Sequence, residues 1–389
     1  MTNVKLEQYD DWLQEGSDVA ALVMRQWLEP VEGKDAVIFP PTYPINQNEA
    51  GYNIDHLSDG TTVCQIDSVG SQANRMEPIF KRDKYKHLVP QVTVKATVSA
   101  NGQSRVIHLL DAGHRAADAI VRFSTLGPEL HEAFQAFCQN GDAEKLARIA
   151  PTSIVFGAWD SRATQAKLPR IVRSVIRAFD VEQLHRSAQY TTIAGEILAA
   201  GSAEVTTKGP KAELGLAHVP AVMKHGGILV KGEIRREAIL SFVPLRALGS
   251  ESHNRGDDIR LRRYIFGLAL VAFTARPETF LREGCELVPS EDRAAEWKLV
   301  NHDGARSDWR ITHEDALAFV TAAAEAFGVK QPNQDQEWEF DRTIANDVLN
   351  LNEEARKALL RQGPVTKEAI NRLRQKGKSD NTKAGAQEA

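Results

Sequence analysis

The chain has 389 residues, 42% of them hydrophobic, and a formal net charge of −4 at pH 7, so its length allows either several domains or one domain with large insertions. No segment has the length and apolarity of a membrane span, and the N-terminus lacks a secretory signal pattern. Three scattered cysteines form neither a disulfide framework nor a metal-ligand spacing, so we expect a cytoplasmic location.

Charge is distributed unevenly along the chain. Residues 162–263 contain 17 Lys and Arg against 10 Asp and Glu, while the remaining residues are acidic overall. The negative net charge argues against a protein that coats nucleic acid, but a local basic segment can still bind it. Charge runs also commonly form solvated faces, so the count alone leaves both interpretations open.

Predicted elements begin with an amphipathic helix from Leu6 to Glu29, closed by Pro30. The stretch "AVIFPPTYP" then predicts a short strand and a rigid loop, and "TTVCQID" predicts a strand. The alternating valines and the Asn101-Gly102 turn of "QVTVKATVSANGQSRVIHLL" indicate a β-hairpin.

The middle of the chain mixes helical and extended patterns. Helices are predicted from Arg115 to Ser124 and from Glu129 to Cys138, and "PTSIVFGAWDSR" predicts a buried strand that ends in a turn. The segment "KLPRIVRSVIRAFDV" fits a helix or a strand. Residues 201–227 are rich in Gly and Lys, which predicts a long insertion or loop.

The last part of the chain predicts strands in "ILVKGEIRREAILSFVPLRAL" and helices from Asp258 to Ala275 and from His313 to Phe327. Strands and helices without regular βαβ alternation indicate an α+β fold with insertions. We expect one decorated domain over residues 1–340. A helical tail is expected over residues 341–389, with a disordered end.

Enzymatic signals are sparse. His114 follows Asp111 and precedes Arg115, a pattern that suits either a general base or the start of a helix. In "WDSR", Asp160 and Arg162 are expected to pair and order a turn. HExxH, P-loop and GxSxG motifs are absent from the sequence.

The stretch "IDSVGSQANRMEP" is the stronger candidate for binding. Its small residues let backbone N–H groups approach an anion, and its Gln, Asn and Arg side chains can donate to phosphates. A helix that begins near Ser68 or Ser71 would add a favourable dipole end. The alternative is a plain helix cap with amides on its solvated face. Together with Arg170, Arg173, Arg177 and the lysines of residues 201–227, the stretch is compatible with an RNA backbone as ligand.

Four segments in order resemble the backbone subunit of CRISPR Cascade complexes, a member of the RAMP superfamily, most closely its subtype U form, now called subtype G. The segments are "SVGSQANRMEP", "SIVFGAWDSR", "PRIVRSVIRAFDV" and "GGILVKGEIRREAILSFVPLRAL", and they lie between Ala36 and Leu248. The resemblance implies a ferredoxin-like, RNA-recognition-type core enlarged by insertions. It also implies a non-enzymatic protein that polymerises head to tail along CRISPR guide RNA (crRNA), as a helical oligomer in a ribonucleoprotein for antiviral defence.

The implied partners are the guide RNA, further copies of the chain, other Cascade subunits and, through the guide, target DNA, with no membrane, metal or cofactor. Two alternatives stay open. One is a metal-dependent ribonuclease of the same superfamily that uses Asp67, Asp111 or His114. The other is a scaffold protein that binds no RNA.

The resemblance also implies roles for particular residues. Ser71, Gln72 and Arg75 would hold guide phosphates, with Ser68 and Asn74 beside them, and Arg162, Arg170, Arg173 and Arg177 would line the same groove. Residues 201–227 would form a thumb with Lys208, Lys211 and Lys224, and Met223 would act as a wedge between bases. The chain departs from the commoner family pattern because Asn74-Arg75-Met76 supplies only one positive charge after the Ser-Gln pair.

Overall fold

The computed structural model describes residues 5–47, 49–97, 102–193, 206, 208–329 and 336–373. The described strands are β1 Val19–Pro30, β2 Val37–Ile38, β3 Tyr43–Asn46, β4 Glu49–Gly51, β5 Ile54–His56, β6 Thr62–Asp67, β7 Val92–Thr97, β8 Ser104–His108, β9 Ala158–Trp159, β10 Lys167–Leu168, β11 Val172–Phe179, β12 Val181–Tyr190, β13 Val219–Val230, β14 Ile234–Ser241, β15 Phe280–Arg282, β16 Cys285–Pro289, β17 Glu296–Asn301, β18 Arg306–Asp308 and β19 Gln336–Glu339.

The described α-helices are α1 Asp10–Leu13, α2 Val69–Met76, α3 Ala119–Arg122, α4 Gly127–Asn140, α5 Glu144–Ile149, α6 Pro151–Phe156, α7 Pro210–Glu213, α8 Phe242–Arg246, α9 Arg255–Thr274, α10 His313–Phe327, α11 Arg342–Leu349 and α12 Glu353–Gln362. Residues 367–373 are also helical. Short 3-10 turns connect several of these elements. The α+β class predicted from the sequence is confirmed.

A large antiparallel sheet forms the centre of the molecule. Its path runs β15, β16, β1, β14, β11, β6, β5, with β17 on the same edge of β1 as β16 and β18 beside β17. The long strand β1 pairs with two strands along that edge: its residues 19–25 pair with β17, and its residues 28–30 pair with β16. Strands β14 and β11 therefore lie in the middle of the sheet.

The predicted helix from Leu6 to Glu29 is wrong over most of its length. Only short helical turns occupy Leu6–Leu13, and Gly16, at φ +81°, precedes strand β1. The spacing of apolar residues suits either structure locally, but pairing with β14 and β17 stabilises the extended form. Because the sequence pattern predicts a helix here, it does not indicate which side chains share a face of strand β1.

Several other predictions need correction. The apolar run at Pro151–Phe156 is helix α6, with Pro at its first turn and every residue buried, so the run lacks the alternation that separates strand from helix. The predicted helix from Arg115 to Ser124 is reduced to a 3-10 turn and the four-residue α3. The ambiguous segment around Arg173 is strand β11.

Helix α9 packs on one face of the sheet, against β14 and β11, and α10 packs on α9. They confirm the two helices predicted from the C-terminal half, and α9 is almost entirely buried from Leu261 onward. Their close contact requires Gly267, because a Cβ atom there would lie 2.9 Å from Val320. Inward-facing side chains of the sheet, such as Leu240, join the same core, and each fully buried aliphatic side chain contributes roughly 1.5–3 kcal/mol.

A long hairpin, which we call the arm, is formed by β12 and β13. Its strands pair from Val181 with Val230 at the base to Tyr190 with Val219. Most of β12 is exposed, so the arm projects from the sheet. The prediction of a loop over residues 201–227 is corrected from Val219 onward, where the chain is strand, while residues 201–205 and 207 lie outside the described residues.

The helical tail packs a small cluster of its own. Val348, Leu359, Val365 and Ile370 are buried there, with Phe123 of the main body against them. The predicted disordered end and Asn101 of the predicted turn lie outside the described residues, although β7 and β8 pair as the predicted hairpin. In the part of the chain that is described, no helix is long and apolar enough to cross a membrane.

Candidate nucleic-acid interface

The polar stretch after β6 begins helix α2. Ser68 is the N-cap, in extended conformation, and its hydroxyl accepts a hydrogen bond from the backbone N–H of Ser71 at 3.2 Å. This satisfies one of the free N–H groups of the first turn. The sequence-based expectation of a helix start at Ser68 is therefore confirmed, and both serines remain partly exposed.

Gln72 lies inside the protein, with 6% of its surface exposed. Its amide nitrogen donates to the Asp67 carboxylate at 2.6 Å, and its carbonyl oxygen accepts from the Ser174 hydroxyl at 2.8 Å. Burial raises the pKa of Asp67 despite the hydrogen bonds that it accepts from Gln72 and Arg75. The network ties the end of β6 and the first turns of α2 to the middle of β11.

Arg75 and Asn74 also have protein partners. Arg75 Nε lies 3.1 Å from the Asp67 carboxylate, and its Nη1 lies 3.2 Å from Glu278. Asn74 is exposed, and its side-chain oxygen accepts from Arg115 at 3.2 Å. The structure thus brings the five predicted residues of this segment together on one short helix and its cap.

The face of the sheet opposite α9 carries a groove of about 460 Å³. Strand alternation sends Arg173, Val175 and Arg177 of β11 to this face, while Val172 and Ile176 are buried against the core. Its polar and charged lining residues are listed here: Arg25 of β1, Arg173, Ser174 and Arg177 of β11, Glu237 of β14, Glu296 and Lys298 of β17, and Arg306 of β18.

Helix α2 reaches this groove only through Val69, its first residue. Strand registers set the basic residues in order, because Arg173 lies opposite Ile239, which lies opposite Val23, which lies opposite Lys298. A row across four strands therefore has a cation at each end and aliphatic side chains between. Such a surface suits a ligand with both phosphates and bases.

Ion pairs occupy some of these cations. Glu237 lies 3.6 Å from Arg25 and 3.4 Å from Arg177, and Lys298 lies 2.7 Å from Asp308. Arg173 is exposed and makes no ion pair with the described residues. Arg306 of β18 is likewise exposed without an ion pair to the described residues, so these two lining arginines are the most available to a phosphate.

Two predicted arginines lie outside the groove lining. Arg162 is exposed in the turn between β9 and β10, and Arg170 is exposed just before β11. The predicted pairing of Asp160 with Arg162 is wrong. Asp160 is buried and instead accepts from Arg122 at 2.9 Å and from Thr164 N at 2.9 Å, because a turn around a buried carboxylate needs donors directed inward.

The arm carries the remaining predicted residues. Lys211 lies in the short helix α7 and Lys208 just before it, in the part of the sequence that connects the two arm strands. Lys224 lies opposite Arg186 near the middle of the arm. Met223 is 64% exposed and has φ +52°, a left-handed conformation that is uncommon for a side-chain-bearing residue. Its neighbour Val222 is also exposed, so the arm presents an apolar patch.

Sequence reasoning missed Arg25, Lys298, Arg306 and Arg186. Arg25 lies in a segment whose apolar spacing predicts a helix, whereas its pairing with β14 and β17 makes it strand β1. Lys298 and Arg306 come from short strands whose place beside β1 depends on long-range pairing. Alternation in "QLHRSAQY" was the available signal for Arg186.

The residues of the ribonuclease alternative have structural contacts. Asp67 is buried beneath Arg75, and Asp111 pairs with Lys81. His114 precedes a 3-10 turn, and its backbone N–H donates to Asp118 at 3.3 Å. Across the described ranges, no three His, Cys, Asp or Glu residues form a group that could hold a metal ion.

Fold and groove together define an α+β protein with a basic, partly apolar surface on its open sheet face and a projecting arm. Residues 22–183, from β1 into β12, match the family model described as CRISPR-associated protein GSU0053. Over these residues, somewhat less than half of the chain, the protein is similar to that CRISPR-associated family, which supports a link to CRISPR defence. A search of curated proteins found no match.

Proposed function

We propose that the chain is a guide-RNA-binding backbone subunit of a CRISPR type I effector complex, of the Cascade kind. The observation that carries the proposal is the groove on the open sheet face, where Arg173 and Arg177 lie beside the start of α2. Guanidinium groups bind phosphates with a planar fork of donors, and aliphatic neighbours can contact bases. The family match over residues 22–183 supports the link to CRISPR defence.

In this proposal the open face holds the RNA backbone and the arm contacts a neighbouring part of the assembly. Lys224 and Arg186 give the arm positive charge, and Met223 gives it an exposed apolar side chain near the middle of its length. Copies related head to tail make heterologous contacts, which build open filaments along a strand. Other subunits and the target DNA, paired to the guide, complete the particle. The subunit itself positions RNA and performs no cleavage.

The decisive experiment measures the salt dependence of RNA binding. Fluorescence anisotropy with a labelled single-stranded RNA would compare the wild-type chain with the double variant Arg173→Ala/Arg177→Ala across salt concentrations. Each lost phosphate contact lowers the slope of log K against log salt by about 0.7 for a single strand, so the variant should lose about 1.4.

The matched control is Arg105→Ala/Arg361→Ala. It removes the same charge from exposed positions on β8 and α12, outside the groove lining. Equal slopes for the groove variant and the wild type would overturn the assignment of the groove. Equal losses in both variants would indicate a general effect of net charge.

Assembly is tested by coexpression with a CRISPR repeat-spacer transcript and its processing partner. A large particle that protects RNA of uniform length is the expected result, because copies along one guide shield a defined number of nucleotides. Recovery of free monomer without RNA would contradict the filament. Magnesium-dependent loss of RNA that stops when Asp67, Asp111 or His114 is replaced would favour the ribonuclease alternative.

A further inference from the structure

A second cavity lies on the helix-covered side of the sheet, between α2 and the end of α9. Its volume is about 250 Å³. Four arginines line it, namely Arg75 and Arg82 from the α2 side, Arg236 from β14 and Arg276 from the segment after α9. Glu278 is the one acidic residue in this lining. The cavity therefore has a marked excess of positive charge.

Arg236 is the unusual member of this set. Only 3% of it is exposed, and in the described residues no carboxylate lies within ion-pair distance of it. Its Nε donates to the Ser174 hydroxyl at 3.0 Å, and its Nη2 lies 3.6 Å from the Met76 sulfur. Burial lowers the pKa of Arg236 to about 10, so it stays charged at neutral pH. Buried charges are normally paired, since an isolated one is costly to desolvate.

The other arginines add to the imbalance. Arg75 is bound to Asp67 and Glu278, so its charge is already compensated. Arg82 and Arg276 are exposed at the cavity and form no ion pair with described residues. Three guanidinium groups without a carboxylate partner thus line one small cavity, beside the amide of Gln72.

We infer that this cavity binds a phosphate group. Guanidinium groups match the oxygens of a phosphate with paired N–H donors, and a bound phosphate anion would compensate the charge of Arg236. The cavity is separate from the open-face groove, because Arg236 and its strand neighbour Glu237 point to opposite faces of β14. The phosphate is either free phosphate or the terminal phosphate of an RNA strand.

The first test uses inorganic phosphate and thermal unfolding at constant ionic strength, with chloride as the replaced anion. The melting temperature of the wild-type chain should rise with phosphate concentration, because a ligand that binds only the folded state stabilises it. The variant Arg82→Ala/Arg276→Ala should need at least about tenfold more phosphate for the same rise.

The matched control is Arg105→Ala/Arg361→Ala, which removes the same charge from exposed positions outside the cavity lining and should keep the wild-type response to phosphate. A response in Arg82→Ala/Arg276→Ala equal to that of the wild type would overturn the inference. So would a wild-type chain that phosphate stabilises no more than chloride does. The groove can fail its own salt test while this response persists, so the two proposals are separable.

Replacing the buried Arg236 provides a second test, in which the variant loses the response to phosphate without losing stability. Arg236→Met removes an unpaired charge and keeps much of the volume, so without phosphate the variant should be at least as stable as the wild type. It should also lose the phosphate response. If phosphate raises the melting temperature of Arg236→Met as much as that of the wild type, the inference is overturned. If Arg236→Met does not fold, the variant Arg82→Ala/Arg276→Ala still tests the inference.

The source of the phosphate is decided with two RNAs of one sequence, one with a 5′-phosphate and one with a 5′-hydroxyl. A preference of the wild type for the phosphorylated RNA, lost in Arg82→Ala/Arg276→Ala, assigns the cavity to an RNA terminus. Equal binding of both RNAs, with the inorganic phosphate response intact, assigns it to free phosphate. Equal binding without that response overturns the inference.

Discussion

Arg177 Nη1 lies 3.4 Å from Oε2 of Glu237, which belongs to the neighbouring strand β14. The second oxygen of the same carboxylate lies 3.6 Å from Arg25 Nη2. One acid therefore partly neutralises two of the basic side chains in the open-face groove. Partly exposed pairs of this kind contribute little to stability, so the principal effect of Glu237 is on the field in the groove.

Glu237→Gln should strengthen RNA binding. The substitution frees Arg25 and Arg177 for phosphates and removes a negative charge from the groove, so affinity at low salt should rise by about threefold. Fluorescence anisotropy over a salt series measures both the affinity and the slope. Glu325→Gln, an exposed acid on α10, is the matched control and should leave both unchanged. Weaker binding by Glu237→Gln would mean that the carboxylate positions the arginines productively.

Gln72→Leu should destabilise the protein. It removes the donor to the buried Asp67 carboxylate and the acceptor for the Ser174 hydroxyl, so buried polar groups lose their partners. The expected loss is about 2 kcal/mol in the free energy of unfolding. Urea denaturation measures it.

The control for that loss is Asn74→Leu, a neighbouring amide on the exposed side of α2. It should cost less than Gln72→Leu, because Arg115 keeps its hydrogen bonds to Glu77 and to the Gly157 carbonyl when the contact with Asn74 is lost. Equal losses would show that burial of Gln72 is not the cause. The RNA-binding role predicted for Gln72 is tested separately, by the salt slope of any Gln72 variant that remains folded.

Local signals in the sequence were sufficient for parts of the site. The serine cap and the Gly-rich, polar composition of "SVGSQANRMEP" correctly predicted where α2 begins, since capping is decided by residues adjacent in sequence. The four-residue spacing of Arg173 and Arg177 puts them on one side of their segment whether it is a helix or a strand. Both features depend on short-range geometry.

Other parts of the fold and the site depend on pairing between strands that are distant in sequence, which local patterns do not indicate. Residues 19–30 have apolar spacing that fits a helix, yet they form a strand because β14 and β17 flank them. The order of strands in the sheet thus brings three distant basic residues into the same groove as Arg173, namely Arg25, Lys298 and Arg306. The cavity around Arg236 depends on the same order, because its arginines come from distant segments.

Met223→Ala tests the predicted wedge on the arm. The side chain is 64% exposed, so its loss should cost little stability, but an apolar group that inserts between bases would no longer unstack them. With 2-aminopurine along the RNA, the fluorescence increase on binding should fall, while the salt slope stays at the wild-type value. Leu349→Ala, exposed on α11, should behave as the wild type. An undiminished fluorescence increase in Met223→Ala would contradict the wedge.

His131 should make stability fall on acidification. It is buried in α4, its Nε2 atom has no hydrogen-bond partner among the described residues, and burial lowers its pKa. The folded state therefore takes up this proton less readily than the unfolded state, so stability is lost as pH falls through the ordinary histidine pKa toward the lowered one. His131→Gln should show a smaller drop in melting temperature between neutral pH and about pH 5.

His87→Gln is the comparison for that measurement. Burial also lowers the pKa of His87, but His87 is less buried than His131, so its removal should reduce the acid sensitivity by a smaller amount. His313, whose pKa is lowered as well, is retained in both variants and keeps part of the pH dependence. An identical drop in His131→Gln and the wild type would mean that the folded protein accommodates a charged His131. In that case carboxylates near α4, such as Asp160, would have to compensate the proton.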